Sequence, residues 1–159
     1  MKAHLAVDNR RRLWVEYSVV PADDLLLPPA KLPERADDLW KTTCFELFVR
    51  PSGSDGYFEL NFSPSFQWAA YEFTGYRQGR RAMEILDPGI WLSQPEGWFF
   101  LAVEGLPDFP AAALKIGLSA VIEEKDGTKS YWALMHPPGE PDFHHPDCFL
   151  LDLPPPAQA

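Results

Sequence analysis

Residues 39–73 read LWKTTCFELFVRPSGSDGYFELNFSPSFQWAAYEF, and this stretch decides the fold. It reads as three β-strands in succession. A strand turns its side chains alternately to two faces. Phe45, Leu47 and Val49 share one face of the first strand, with Cys44, Glu46 and Phe48 on the other. In the second, Phe58, Leu60 and Phe62 share one face, with Tyr57, Glu59 and Asn61 on the other. With both apolar sets turned to a core, Glu46, Glu59 and Asn61 fall together on the face that looks away from it. Two carboxylates and an amide beside Trp40 exceed what solubility requires. They predict a place where a polar ligand is held. Ser54-Asp55-Gly56 supplies the turn between the two strands.

Working outward, LWVEYSVV at 13–20 reads as a strand ended by Pro21. Residues 21–38 hold four prolines among mixed charges and read as a long connection with one short helical turn. A second irregular region covers 74–90 and carries RQGRR at 77–81. GWFFLAV at 97–103 is a strand, followed by a connection with a helical turn at 111–113. In 114–136, Asp126-Gly127 signals a two-residue hairpin turn. That turn pairs Ile122 with Tyr131, Ala120 with Ala133 and Leu118 with Met135, all expected on the core face. It leaves Val121 with Trp132, Ser119 with Leu134 and Gly117 with His136 on the other. CFLLDL at 148–153 is the closing strand, and PPPAQA at 154–159 is expected to be a disordered tail. Roughly eight to ten strands without sustained helical periodicity predict an all-β fold. The expected form is an antiparallel, jelly-roll-like β-sandwich with long irregular connections, one domain over residues 1–153.

The chain has 159 residues, enough to bury a sizeable core without staples. Its 17 prolines argue against long helices. A net charge of −9 argues against nucleic acid, which demands a basic surface. Arg10-Arg11-Arg12 and the 77–81 run are short and read as solvated loops rather than anion sites. Cys44 and Cys148 form no metal spacing and read as two buried free thiols; whether they pair is not legible. The first twenty residues lack a signal-peptide pattern, and no apolar run approaches a membrane span. A cytoplasmic location with no membrane partner is therefore expected.

Glu46 and Glu59 on adjacent strands suit acid–base chemistry, a hard cation, or acceptance of hydrogen bonds from sugar hydroxyls. Asn61 and Trp40 tilt this toward a hydroxylated ring, whose C–H face an indole covers while carboxylate and amide read its hydroxyls. HPPGEPDFHH at 136–145 packs three His, an Asp and a Glu into ten residues. Its spacing matches no zinc motif, so hydrogen-bonding His136, His144 and His145 in an ordered loop are expected rather than a metal centre. Met135 and His136 raise haem ligation, but neighbours on a strand point to opposite faces, and no cofactor is expected.

In WKTTCFELFV, YFELNFSP and the closing YWALMHPPGEPDFHHPDCFLLDL, the chain resembles the family 9 carbohydrate-binding modules and, most of all, their bacterial DOMON-like relatives. The resemblance implies a jelly-roll-like sandwich with a ligand site on one sheet. Trp40 matches the first of two tryptophans that sandwich a sugar, and Glu46 the binding carboxylate. The second tryptophan is missing, and Phe143, His144 and His145 stand in its place. The resemblance also leaves open a structural calcium in the loop 52–55. The expected function is a non-catalytic module for a small polyhydroxylated ligand, using Trp40, Glu46, Glu59, Asn61, His136, Phe143, His144 and His145. Two alternatives remain: a carbohydrate-active enzyme using Glu46 and Glu59 with a His, and a protein-interaction domain using Trp132, Val121 and Leu134. Oligomeric state is not legible.

Overall fold

In a computed structural model describing residues 1–8, 10 and 12–156, alternating apolar side chains organise two antiparallel sheets into a β-sandwich. The strands are β1 (Lys2–Val7), β2 (Leu13–Val19), β3 (Cys44–Pro51), β4 (Tyr57–Phe62), β5 (Trp68–Phe73) and β6 (Arg81–Ala82). They continue with β7 (Gly89–Ser93), β8 (Phe99–Glu104), β9 (Leu114–Glu123), β10 (Lys129–Ala133) and β11 (Leu151–Leu153). One sheet has the order β1-β2-β8-β7. The larger has the order β10-β9-β3-β4-β5-β6, with β11 also paired to β9. Short 3-10 turns cover Leu39–Lys41 and Pro146–Cys148. Among the described residues no helix is long and apolar enough to cross a membrane.

The main core lies between the sheets. Val15 and Tyr17 from β2 and Phe99 and Leu101 from β8 meet Phe45 and Leu47 from β3, Leu60 from β4 and Ile116 from β9, all fully buried. Phe45 stacks on Phe99 at 5.6 Å and tilts against Tyr17 at 5.0 Å. Burying such a side chain contributes about 1.5–3 kcal/mol. The Tyr17 hydroxyl donates to the Glu46 carbonyl at 2.7 Å, so the larger sheet is tied to the smaller at the residue that also faces the site.

The expected alternation of β3 and β4 holds, with Phe45 opposite Phe62, Glu46 opposite Asn61 and Leu47 opposite Leu60. Strands β1 and β7 were not expected. They are the two edges of the smaller sheet, where half-exposed residues such as Trp91 blur the alternation. No helix forms at 111–113. The closing strand starts at Leu151 rather than Cys148, which belongs to a 3-10 turn. In the 10–12 cluster, Arg10 and Arg12 close the β1–β2 turn on Asp8, and the expectation for Arg11 lies outside the described residues. Residues 154–156 carry no regular structure, and the rest of the expected tail, 157–159, is likewise outside the described residues.

The β9–β10 hairpin is shifted by one residue from the expected register. Val121 pairs with Tyr131, and Ala120 with Trp132. Glu124 N–H donates to the Thr128 carbonyl and Gly127 N–H to the Glu124 carbonyl, both at 2.9 Å. Gly127 sits at φ 88°. This is a three-residue loop whose left-handed glycine makes a bulge, not the two-residue turn the dipeptide suggested. A one-residue slip exchanges the faces. Tyr131 therefore joins Val121 on the outer face, Leu134 packs on the main core, and Met135 is exposed rather than core. Trp132, Val121 and Leu134 do not form a common outer patch, which removes the surface on which an interaction domain was expected.

Gly127→Ala tests this hairpin. A side chain at positive φ is strained, so the substitution is expected to destabilise by about 1 kcal/mol in chemical denaturation. A neutral or stabilising result would contradict the bulged loop.

Candidate ligand-binding site

The outer face of the larger sheet is not open to solvent, as the sequence suggested, but covered. Two segments fold over it. The connection before β3 is pinned by Thr43, whose hydroxyl donates to the Leu26 carbonyl at 2.7 Å and accepts from Glu123 N–H at 3.1 Å. It is pinned again where the Tyr71 hydroxyl donates to Asp37 at 2.5 Å. The segment after β10 lies flush on β9. A Cβ at Gly117 would stand 3.0 Å from the Cys148 carbonyl oxygen, so this close approach favours glycine. Phe149 then packs edge-on against Phe48 and Tyr57. Together these form a second cluster with Leu39, Cys44, Tyr71 and Phe73.

Between the two segments a cavity of about 530 Å³ remains above β3 and β4. Glu46 and Glu59 form its floor, 3% and 7% exposed. Glu46 accepts from the Ser119 hydroxyl at 3.0 Å, and Glu59 from the Asn61 amide at 2.7 Å. Trp40, half exposed on its 3-10 turn, stands at the rim. Phe143, His144, Tyr131 and Phe73 supply ring walls, and Arg77, Arg80 and Glu140 bring charge.

His144 is the most constrained of these. Its ring packs edge-on against Phe48 and Phe73 at 5.2 and 5.3 Å. Its Nδ1 lies 2.7 Å from the Tyr57 hydroxyl, which itself accepts from Arg77 N–H at 3.3 Å. This contact fixes the ring so that Nε2 points the other way. That nitrogen faces Glu59 Oε2 at 3.8 Å. Burial, with the Arg77 charge second, lowers the His144 pKa to about 4, so the ring is neutral near pH 7. Asp142 holds the loop in place, accepting from Tyr76 at 2.5 Å and Arg77 at 2.7 Å.

Burial likewise governs the carboxyls. It raises Glu46 to about 8, with repulsion from Glu59 adding to it and Ser119 and Arg77 opposing it. Burial also raises Glu59, against Asn61, Arg80 and Arg77. Asn61 Oδ1 is buried without a hydrogen-bond partner. It sits on the residue directly across β3–β4 from Glu46.

Of the residues singled out from the sequence, Trp40, Glu46, Glu59, Phe143 and His144 line one cavity. Asn61 lies beneath it, holding Glu59. His136 and His145 do not line it. Because β10 ends at Ala133, alternation does not carry to His136, which is exposed with its ring 6.3 Å from Phe143. His145 is turned away as the cap of the 146–148 turn, where its Nδ1 accepts from Asp147 N–H at 3.2 Å. Arg77 and Arg80, which the sequence presents as a solvated loop, and Tyr131, which it presents as core, also line the cavity. Both cysteines are free and buried, Cys148 directing its thiol at the Met135 and Asp142 carbonyls. Among the described residues, no three His, Cys, Asp or Glu side chains gather in a metal-holding group.

No protein-family model matches the chain, and no curated protein matches it in sequence. In three dimensions it is similar to a crystal structure of a proposed carbohydrate-binding protein from Bacteroides uniformis, with a TM-score of 0.55. The two share 13% identity, over 86% of this chain and 70% of that one. At this identity the likeness is one of fold.

The carboxyl floor makes stability pH-dependent in a defined sense. A carboxyl raised in the fold binds more protons folded than unfolded, so Glu46 removes stability as pH rises from 4.5 to about 8. His144, lowered in the fold, acts oppositely but only between about 4 and 6.5. Above pH 6.5 Glu46 dominates this pair, with a slope of up to about 1.4 kcal/mol per pH unit. Glu46→Gln is expected to be more stable than wild type at pH 8, with the difference shrinking toward pH 5, in urea titrations across that range. A constant or inverted difference would contradict the buried floor.

Proposed function

We propose that the protein is a non-catalytic binding module for a small polyhydroxylated ligand of the sugar class, seated in the cavity over β3 and β4. The observation that carries this reading is the floor of two buried carboxyls beneath aromatic walls. Sugar rings present hydroxyls at their edges and C–H groups on their faces. Carboxyls and the Ser119–Glu46 pair suit the edges, and the Trp40 indole suits a face. A cavity of about 530 Å³ is of the size that holds a small-molecule ligand. The fold of the Bacteroides uniformis protein supports the same class, as does the Trp40–Glu46 pattern shared with family 9 modules and DOMON-like domains. We extend the proposal to kinship with those domains, with Phe143 and His144 in place of the second tryptophan.

Isothermal titration against mono- and disaccharides, neutral, amino and phosphorylated, tests the reading. Saturable binding with a Kd below the millimolar range is expected, accompanied by a change in Trp fluorescence. Trp40→Ala is expected to weaken it by about 1.5 kcal/mol, a little over tenfold. No binding by any sugar would overturn the reading. Release of new reducing ends from a bound disaccharide would assign the carboxyl pair to acid–base chemistry instead.

A further inference from the structure

We propose that the ligand of this cavity carries a protonated amine, as an amino sugar does, placed on the floor against Glu46 and Glu59 and inside the aromatic walls. This rests on the sugar-class reading and narrows it. The argument is one of unmatched charge in an enclosed space. Among the described residues no Lys or Arg makes an ion pair with either carboxyl, and the nearest ring nitrogen, on a neutral His144, stands 3.8 Å from Glu59. Glu46 has the Ser119 hydroxyl and Glu59 the Asn61 amide, both uncharged donors. Asn61 Oδ1 beside them lacks any donor. A buried carboxylate without a counter-charge is expensive and keeps its proton. An ammonium supplies that counter-charge.

The walls fit the same ion. Trp40, Phe73, Tyr131 and Phe143 line the cavity, and ring faces attract cations. The two guanidiniums act on the floor carboxyls only through space and make their direct contacts elsewhere. Arg77 is held by Asp142 at 2.7 Å, and Arg80 lies over the Tyr71 ring at 4.8 Å. Glu140 adds a further acid at the rim. An anionic ligand would meet the two floor carboxyls, so a sugar phosphate is disfavoured.

Binding then moves a proton. Glu46 is faced by Glu59 from β4, Ser119 from β9 and Arg77 from the 74–80 turn, and Arg80 and His144 act on Glu59 beside it. Cys44 on its own strand and Tyr17 from the smaller sheet are both pushed up by burial and stay uncharged. Of these groups, the carboxyl pair is the one that holds a proton near pH 7 and gives it up when a cation arrives. An ammonium seated on the pair therefore displaces a proton to buffer.

Calorimetry with glucosamine, galactosamine and mannosamine, each against its neutral parent and its N-acetyl derivative, tests this. At least one amine is expected to bind about tenfold or more tighter than its parent, as one added cation–π and ion-pair contact predicts. Its affinity is expected to rise from pH 5 to 7, with proton release seen as a dependence of the heat on buffer ionisation enthalpy. In Glu46→Gln, shown folded by thermal melting, the amine-to-parent affinity ratio is expected to fall to near one. Equal binding of amines and parents, or tighter binding of the N-acetyl derivatives or of glucose 6-phosphate, would overturn the proposal and leave the sugar-class reading standing. Failure of every sugar would overturn both.

Discussion

The burial of two carboxyl groups on the outer face of a β-sheet is the constraint on which this structure turns. Glu46 and Glu59 occupy strand positions that would face water in an ordinary sandwich. Here the segments before β3 and after β10 close over them, so both are nearly excluded from solvent. Charges in such a place must be paired, hydrogen-bonded or neutralised. The sheet supplies hydroxyl and amide donors from Ser119 and Asn61 but no cation, and burial raises both carboxyls above the usual carboxylate range. The covering segments also build what lies above, an indole at one rim and imidazole and phenyl walls at the other.

The fold and the floor of the candidate site were legible because they are encoded locally. In 44–49 and 57–62 the period of two assigns each side chain a face without reference to the rest of the chain. Placing Phe45, Leu47 and Leu60 in a core therefore also puts Glu46, Glu59 and Asn61 together, and the β3–β4 register shows this arrangement. Trp40 follows from its position just before β3, His144 from the histidine cluster at 136–145, and Phe143 only from the family resemblance.

What escaped was set by distant contacts or by loop geometry. The face of Tyr131 depends on one extra residue in the 125–127 loop, and Asp126-Gly127 serves either loop length. Arg77 and Arg80 look like solvated charge until Asp142, 65 residues beyond Arg77, and Tyr71 are found against them. His144 and His145 are neighbours of one residue type, yet only His144 meets Tyr57, 87 residues away. The edge strands β1 and β7 lie where burial is partial and the alternation is weakest.

The central claim is that a carboxyl pair on the floor of this cavity holds a proton at neutral pH. Its most direct test is a carbon-13 NMR titration of the glutamate side-chain carboxyls, with Glu46 assigned by its loss in Glu46→Gln. The account predicts that the Glu46 resonance titrates well above the ordinary carboxylate range, toward about 8, with the Glu59 resonance also displaced upward. Titration of both near 4.5 would contradict it.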